Sequence, residues 1–179
     1  PTITIITPQN QSYYSEIFNL NVSISGDDLT ISNYSITNSS GVAHQTNSVD
    51  LTNFTNYNWI DAVNLSDERY ILSVYVGATI VSSTKLINFV IDKTKPTLSD
   101  LQKNPTVVYD NDSVNFYVNV TDTNLDAVLI EGNWNNSSVN YTMSLESGNQ
   151  FKYLVPAENF AANKQVVYQI SAIDLATNL

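Results

Sequence analysis

Apolar and polar residues alternate along much of this chain with a period of two, the pattern of a strand with one face packed and the other in water. The clearest stretch occurs twice. Phe18-Asn19-Leu20-Asn21-Val22-Ser23 returns 98 residues later as Phe116-Tyr117-Val118-Asn119-Val120-Thr121. In the first copy the alternation predicts strands over 2–6, 17–24, 32–37, 48–51, 57–63, 70–76 and 85–91. In the second it predicts them near 107–109, 114–121, 127–131, 139–145, 151–155 and 166–172. Tyr70, Leu72, Val74 and Val76 share one face, and Val166, Tyr168, Ile170 and Ala172 repeat that face 96 residues on. No segment keeps a helical period over three turns, so the chain is expected to be all-β.

The copies meet at Ile91-Asp92-Lys93-Thr94-Lys95-Pro96, a short polar joint closed by a proline that biases its predecessor to extended backbone. Two domains follow, 1–95 and 96–179. Seven short strands in the first copy and six in the second, with turn-rich connections, describe tandem immunoglobulin-like antiparallel β-sandwiches. Ile91-Asp92-Lys93-Thr94-Lys95-Pro96-Thr97 resembles the "VDTTAPT" joints between tandem immunoglobulin-like repeats of archaeal and bacterial cell-surface proteins. Ser171-Ala172-Ile173-Asp174-Leu175-Ala176-Thr177-Asn178 resembles the "A-x-D-x-A-G-N" turn after the sixth strand of such repeats, with Thr177 where the family usually has Gly. The resemblance covers nearly the whole chain. It implies the fold and leaves the role open among spacers, adhesin stalks, surface-layer blocks and fibre subunits.

The copies differ at their ends. After Val76 the first runs on for 19 residues and lays down a last strand over 85–91, whereas only seven residues follow Ala172. The second sandwich is therefore expected to lack its final strand within this chain. Three accounts stand side by side: continuation in a longer chain, a strand donated by a neighbouring subunit, or a tolerated open edge. The start at Pro1 instead of Met agrees with a processed or partial chain.

Composition narrows the setting. A net charge of −10 opposes nucleic-acid binding, which needs a basic face. No apolar run is long enough to span a bilayer. Charged residues make up only 13% of the chain, and the polar surface falls to 24 Asn, 20 Ser and 17 Thr. N-x-Ser/Thr triplets begin at Asn10, Asn21, Asn33, Asn38, Asn53, Asn64, Asn111, Asn119, Asn135, Asn136 and Asn140, roughly twice the number this composition gives by chance. Asn21 and Asn119 fall on the polar phase of a strand, where an N-linked glycan would project outward. Adjacent Asn135 and Asn136 are too close for both to be modified. Many sequons with no cysteine fit an archaeal extracellular surface better than a eukaryotic secreted domain.

Catalytic chemistry has little to stand on. There is no Cys/His pair, the single His44 is expected in a surface loop, and only five glycines occur, with no phosphate-cradling loop. The strongest chemical candidate is calcium. In this topology the loops after the second and sixth strands lie at the domain's N-terminal end, which would gather Asp122, Asp126 and Asp174 near Asp92 of the joint as hard oxygen ligands. Solvated acidic turns explain the same residues without an ion. Asp110-Asn111-Asp112 is expected to be a turn. Tyr57, Trp59 and Trp134 are candidates for flat sugar-binding rings, with core packing as the competing explanation. The expectation is a non-enzymatic glycosylated block of an archaeal surface layer, appendage or fibre. It self-assembles or continues in a longer chain. The alternative is an adhesin or carbohydrate-binding module on a surface stalk, or an accessory module of a surface hydrolase whose catalytic domain lies elsewhere.

Overall fold

The computed structural model describes residues 1–109, 111–134, 138–160 and 165–179. The chain divides into two units, Pro1–Lys93 and Thr94–Leu179. Both are all-β, as the alternation predicts, with a 3₁₀ turn at Ala157–Asn159.

Unit 1 holds β1 (Thr2–Thr7), β2 (Ser12–Tyr14), β3 (Phe18–Ser25), β4 (Leu29–Asn38), β5 (Ala43–Asp50), β6 (Asn56–Val63), β7 (Glu68–Ala78) and β8 (Ser82–Ile91). One sheet runs β1-β3-β6 and the other β2-β8-β7-β4-β5. All pairs are antiparallel except β2 with β8. Their inner faces bury Leu20, Val22 and Ile24 of β3 against Tyr34 and Ile36 of β4, Tyr70, Leu72, Val74 and Val76 of β7, and Phe89 of β8. At ~25 cal/mol per Å² of apolar area, burying each such side chain contributes about 1.5–3 kcal/mol.

Unit 2 holds β9 (Thr97–Asn104), β10 (Val114–Thr121), β11 (Leu125–Gly132), β12 (Val139–Thr142), β13 (Ser144–Ser147), β14 (Gln150–Val155) and β15 (Tyr168–Asp174). One sheet runs β13-β14-β10-β9 and the other β12-β11-β15. The core gathers Val114, Phe116, Val118 and Val120 of β10 with Val128, Ile130, Trp134, Met143, Val155 and Ala172. β7 sits between β4 and β8, but among the described residues β15 pairs with β11 alone.

Three elements depart from the expected pattern. The first strand of unit 2 is β9, not 107–109. Every residue of β9 is exposed, so no alternation marks it; backbone pairing with β10 makes it a strand. Val107, Val108 and Tyr109 are exposed and non-strand, and Asp112 accepts the Tyr109 N–H through Oδ2 at 2.9 Å, closing a turn. The strand expected over 139–145 is two strands in different sheets. The switch occurs at Met143, which is buried and whose N–H donates to the Val128 carbonyl at 2.8 Å. His44 lies on strand β5, not in a loop, and its ring meets Tyr70 edge-on at 5.4 Å.

Candidate functional site

The predicted acidic residues of unit 2 sit at one end of its sandwich. Asp122 follows β10, and its Oδ1 accepts the Asn124 N–H at 2.7 Å. The Asn124 carbonyl accepts from the Leu175 N–H at 2.8 Å, tying this loop to the end of β15. Carboxylate oxygens of Asp122 and Asp174 lie within 4.8 Å of each other. Asp126 stands apart. It is the exposed extra residue where the β11–β15 register shifts between Leu125 and Ala127. In unit 1, Asp92 follows β8, is buried, and its N–H donates to the Tyr14 carbonyl at 3.0 Å.

Asp174 is buried and already has structural work. Its Oδ1 accepts the Asn178 N–H at 2.8 Å and its Oδ2 the Asn178 Nδ2 at 2.7 Å, while its carbonyl accepts the Thr177 N–H at 3.1 Å. The Asp and Asn of the Ser171–Asn178 motif therefore close the turn on each other. Thr177 has φ +67°, the left-handed region where a β-branched residue is strained and glycine is not. That is the physical reason for glycine in the resembling motif.

The aromatic candidates do not form a sugar platform. Trp59 and Trp134 are 4% and 1% exposed, so neither ring has a free face. Trp59 packs edge-on against Tyr34 at 5.1 Å and Tyr57 at 5.2 Å, and its Nε1 donates to Ser32 Oγ at 3.2 Å. Tyr57 is half-buried against the same core and meets Phe54. Trp134 stacks on Phe116, Tyr141 and Tyr153 at 5.9, 5.5 and 6.0 Å, and its buried Nε1 has no partner among the described residues. These rings serve core packing, the hydrophobic effect outweighing an orphaned N–H.

Two tyrosines are perturbed. Burial, then the hydrogen bond to Asp61 Oδ2 at 2.6 Å, pushes Tyr34 up to about 12, against a smaller opposing effect of Gln45, whose Nε2 donates to the Tyr34 hydroxyl at 2.9 Å. Burial, then Tyr141, raises Tyr153. An open cavity of about 350 Å³ on unit 1 is lined by Gln11, Tyr13, Arg69, Asn88, Phe89 and Val90, which include no acid–base pair.

The sequons divide by environment. Asn10, Asn53, Asn64, Asn111 and Asn140 are exposed. Asn10 Oδ1 accepts the Asn88 N–H, and Asn64 Oδ1 accepts from Lys93 Nζ. Asn21, Asn33 and Asn119 lie on outward strand phases and are half-buried, with buried neighbours at 20, 22, 32, 34, 118 and 120. Asn119 Nδ2 donates to Asp100 Oδ2 at 2.8 Å. Asn38 is committed to a turn, its Oδ1 accepting from the N–H groups of Ser40 and Val42 and its Nδ2 donating to Glu68. Asn135, Asn136 and Asp110 lie outside the described residues. Among the described residues, no helix is long and apolar enough to cross a membrane.

No family model matches the chain, and no curated protein matches it. Solved structures do. The chain is similar to the FN1–FN3 domains of chicken CNTN1, covering 93% of this chain and 60% of that one at 13% identity and a TM-score of 0.42. It is similar to a tetra-tandem repeat in the extending region of a large adhesion protein, covering 98% and 45% at 13% identity and 0.38. It is also similar to a 1.5-MDa bacterial ice-binding adhesin, covering 99% and 60% at 14% identity and 0.38. The chain spans less than two thirds of each of these solved chains. The immunoglobulin-like assignment itself rests on the strand order and register of the two units.

Proposed function

We propose that this chain is a non-enzymatic structural segment of an extracellular protein, a glycosylated block of an archaeal surface layer, appendage or fibre. The observation that carries this is a pair of tandem sandwiches whose second member, among the described residues, leaves one edge of its sheet, β15, unpaired. A free edge on a folded unit is an assembly template for a further strand. Exposed sequons at Asn10, Asn53, Asn64, Asn111 and Asn140 supply the glycan sites, and the cysteine-free, sequon-rich composition supports the archaeal setting. Asp122 and Asp174 of unit 2 form the proposed calcium-holding pair. Burial of Trp59 and Trp134 weighs against the carbohydrate-binding alternative.

Native material tests this directly. Intact mass should exceed that of the bare polypeptide by discrete glycan increments, and light scattering should show association that grows with concentration. A bare mass with strict monomer behaviour and saturable glycan binding would replace this proposal with the adhesin alternative.

A further inference from the structure

The outer face of the five-stranded sheet of unit 1 carries a polar cavity. Tyr13 of β2 pairs with Val90 of β8, and Val90 pairs in turn with Arg69 of β7. Strands lie about 4.8 Å apart, so the backbones of Tyr13 and Arg69 stand roughly 9–10 Å apart across β8. Half-buried Val90 is the floor between them. On the next outward row Asn88 sits beside Gln11. These residues line the space of about 350 Å³, which lies in the size range of small-molecule sites. The turn that brings Gln11 there is fixed by β8 itself. The Gln11 N–H donates to the Asn88 carbonyl at 2.6 Å, and the Asn88 N–H donates to Asn10 Oδ1 at 3.0 Å. Within the turn, Ser12 Oγ donates to the Gln9 carbonyl at 2.6 Å, and the Gln9 N–H donates to the Tyr14 hydroxyl at 3.1 Å. Gln11 is held there at φ +62°, in the left-handed region.

The cavity presents two kinds of polar group. Arg69 is the only arginine of a chain with a net charge of −10, and among the described residues its guanidinium has no ion-pair partner. The two carboxylates just before it in sequence are engaged elsewhere, Glu68 with Asn38 Nδ2 and Ser39 Oγ, and Asp67 with the Lys93 N–H. Gln11 and Asn88 use their backbone groups in the turn, and among the described residues their side-chain amides are free. A guanidinium offers a carboxylate two parallel N–H donors. An amide offers a hydroxyl both a donor and an acceptor, and a tyrosine ring supplies a flat apolar wall with a polar tip. We infer that this cavity binds a sugar acid of hexuronate size. Its carboxylate lies on Arg69, its ring hydroxyls on Gln11 and Asn88, and its apolar C–H face against Tyr13. The cavity is open to solvent, so the sugar acid is the end residue of an acidic saccharide whose remainder leaves through the mouth. Such a site is independent of the assembly proposed above, which intact mass and light scattering decide.

The test titrates the full chain with glucuronate and follows the backbone amides by nuclear magnetic resonance. Saturable shifts should appear at residues 11–13, 69 and 88–90, with a Kd on the order of 1 mM for so small a ligand. Acetate carries only the carboxylate and glucose only the hydroxyls, so each should bind about tenfold more weakly or worse. Arg69→Gln should weaken glucuronate binding by about tenfold and leave glucose binding unchanged. Arg69→Lys keeps the charge and loses the planar fork, so it should fall between the two. Arg69 is exposed, and the urea midpoints of both variants should match that of the parent. The methyl glycoside of glucuronate should bind as tightly as the free acid, because its methyl group points to the mouth. Acetate binding as tightly as glucuronate overturns the sugar assignment and leaves an anion patch. Glucose binding as tightly as glucuronate, or unchanged glucuronate binding by Arg69→Gln, overturns the role of the guanidinium. A methyl glycoside that fails to bind overturns the saccharide end as the source. Absence of saturable shifts at these residues overturns the site itself.

Discussion

Replacing Gly132 by alanine should dismantle the core of unit 2. Gly132 ends β11, and a Cβ built on it would lie 1.8 Å from Trp134 Cζ3, 2.2 Å from Cε3 and 2.4 Å from Cη2. No rotation of a methyl group relieves such distances, so the indole must leave its stack with Phe116, Tyr141 and Tyr153. The Gly132 backbone is outside the left-handed region, so alanine suffers no φ penalty and the collision is isolated. Expelling a buried Trp forfeits about 3–5 kcal/mol, with partial relaxation bringing the expected cost to roughly 3 kcal/mol. That is a large share of the ~5–15 kcal/mol that holds a domain together. For a unit of this size it corresponds to a fall of about 12–24 °C in melting temperature. Urea unfolding should be followed by tryptophan emission in a Trp59→Phe background, so that Trp134 is the sole indole. Gly132→Ala should shift the native emission to the red and lower the midpoint. Combined with Trp134→Ala, and followed by far-ultraviolet circular dichroism because those proteins lack an indole, it should cost little beyond Trp134→Ala alone, since the colliding ring is gone. A Gly132→Ala protein within about 0.5 kcal/mol of the parent, or one whose loss simply adds to that of Trp134→Ala, would refute the collision.

Three further outcomes are expected. Thr177→Gly relieves left-handed strain of about 1–2 kcal/mol and gives back about 0.5–1 kcal/mol of chain entropy, so unit 2 should gain roughly 0.5–1 kcal/mol; a loss of stability on thermal melting would contradict the strain. Tyr34 holds its proton in the folded state until about pH 12, whereas the unfolded side chain loses it near 10. This stabilisation is complete below pH 10 and declines as pH rises from 10 to 12, by about 1–2 kcal/mol once screening is allowed for. About half of that decline is reached at pH 11, so unfolding free energies in urea at pH 9 and pH 11 should differ by roughly 0.5–1 kcal/mol more in the parent than in Tyr34→Phe, and an identical pH slope in both would dismiss the claim. Millimolar calcium should raise the melting temperature over chelator-treated protein by several degrees, and Asp122→Asn should abolish the rise; an unchanged melt removes the proposed ion.

The sequence by itself determined the period-two faces, the duplication and the inward residues of β3, β7 and β10, because alternation is the local mark of a strand with one covered side. Within the acidic set it placed Asp122 and Asp174 together correctly, because loop ends follow from strand order, but it could not separate Asp126, which a register shift turns out to solvent. Only the tertiary structure decided the rest. β2 and β9 have no buried alternation and exist through backbone pairing with strands distant in sequence. Strands 139–142 and 144–147 read as one run until Met143 turns into the core and sends them to different sheets. Trp134 carries both a platform and a core reading in the sequence, and the space above Gly132 that admits its ring decides for the core. Local periodicity records which face of a strand is covered. What covers it, and whether a ring finds room, depends on residues far along the chain.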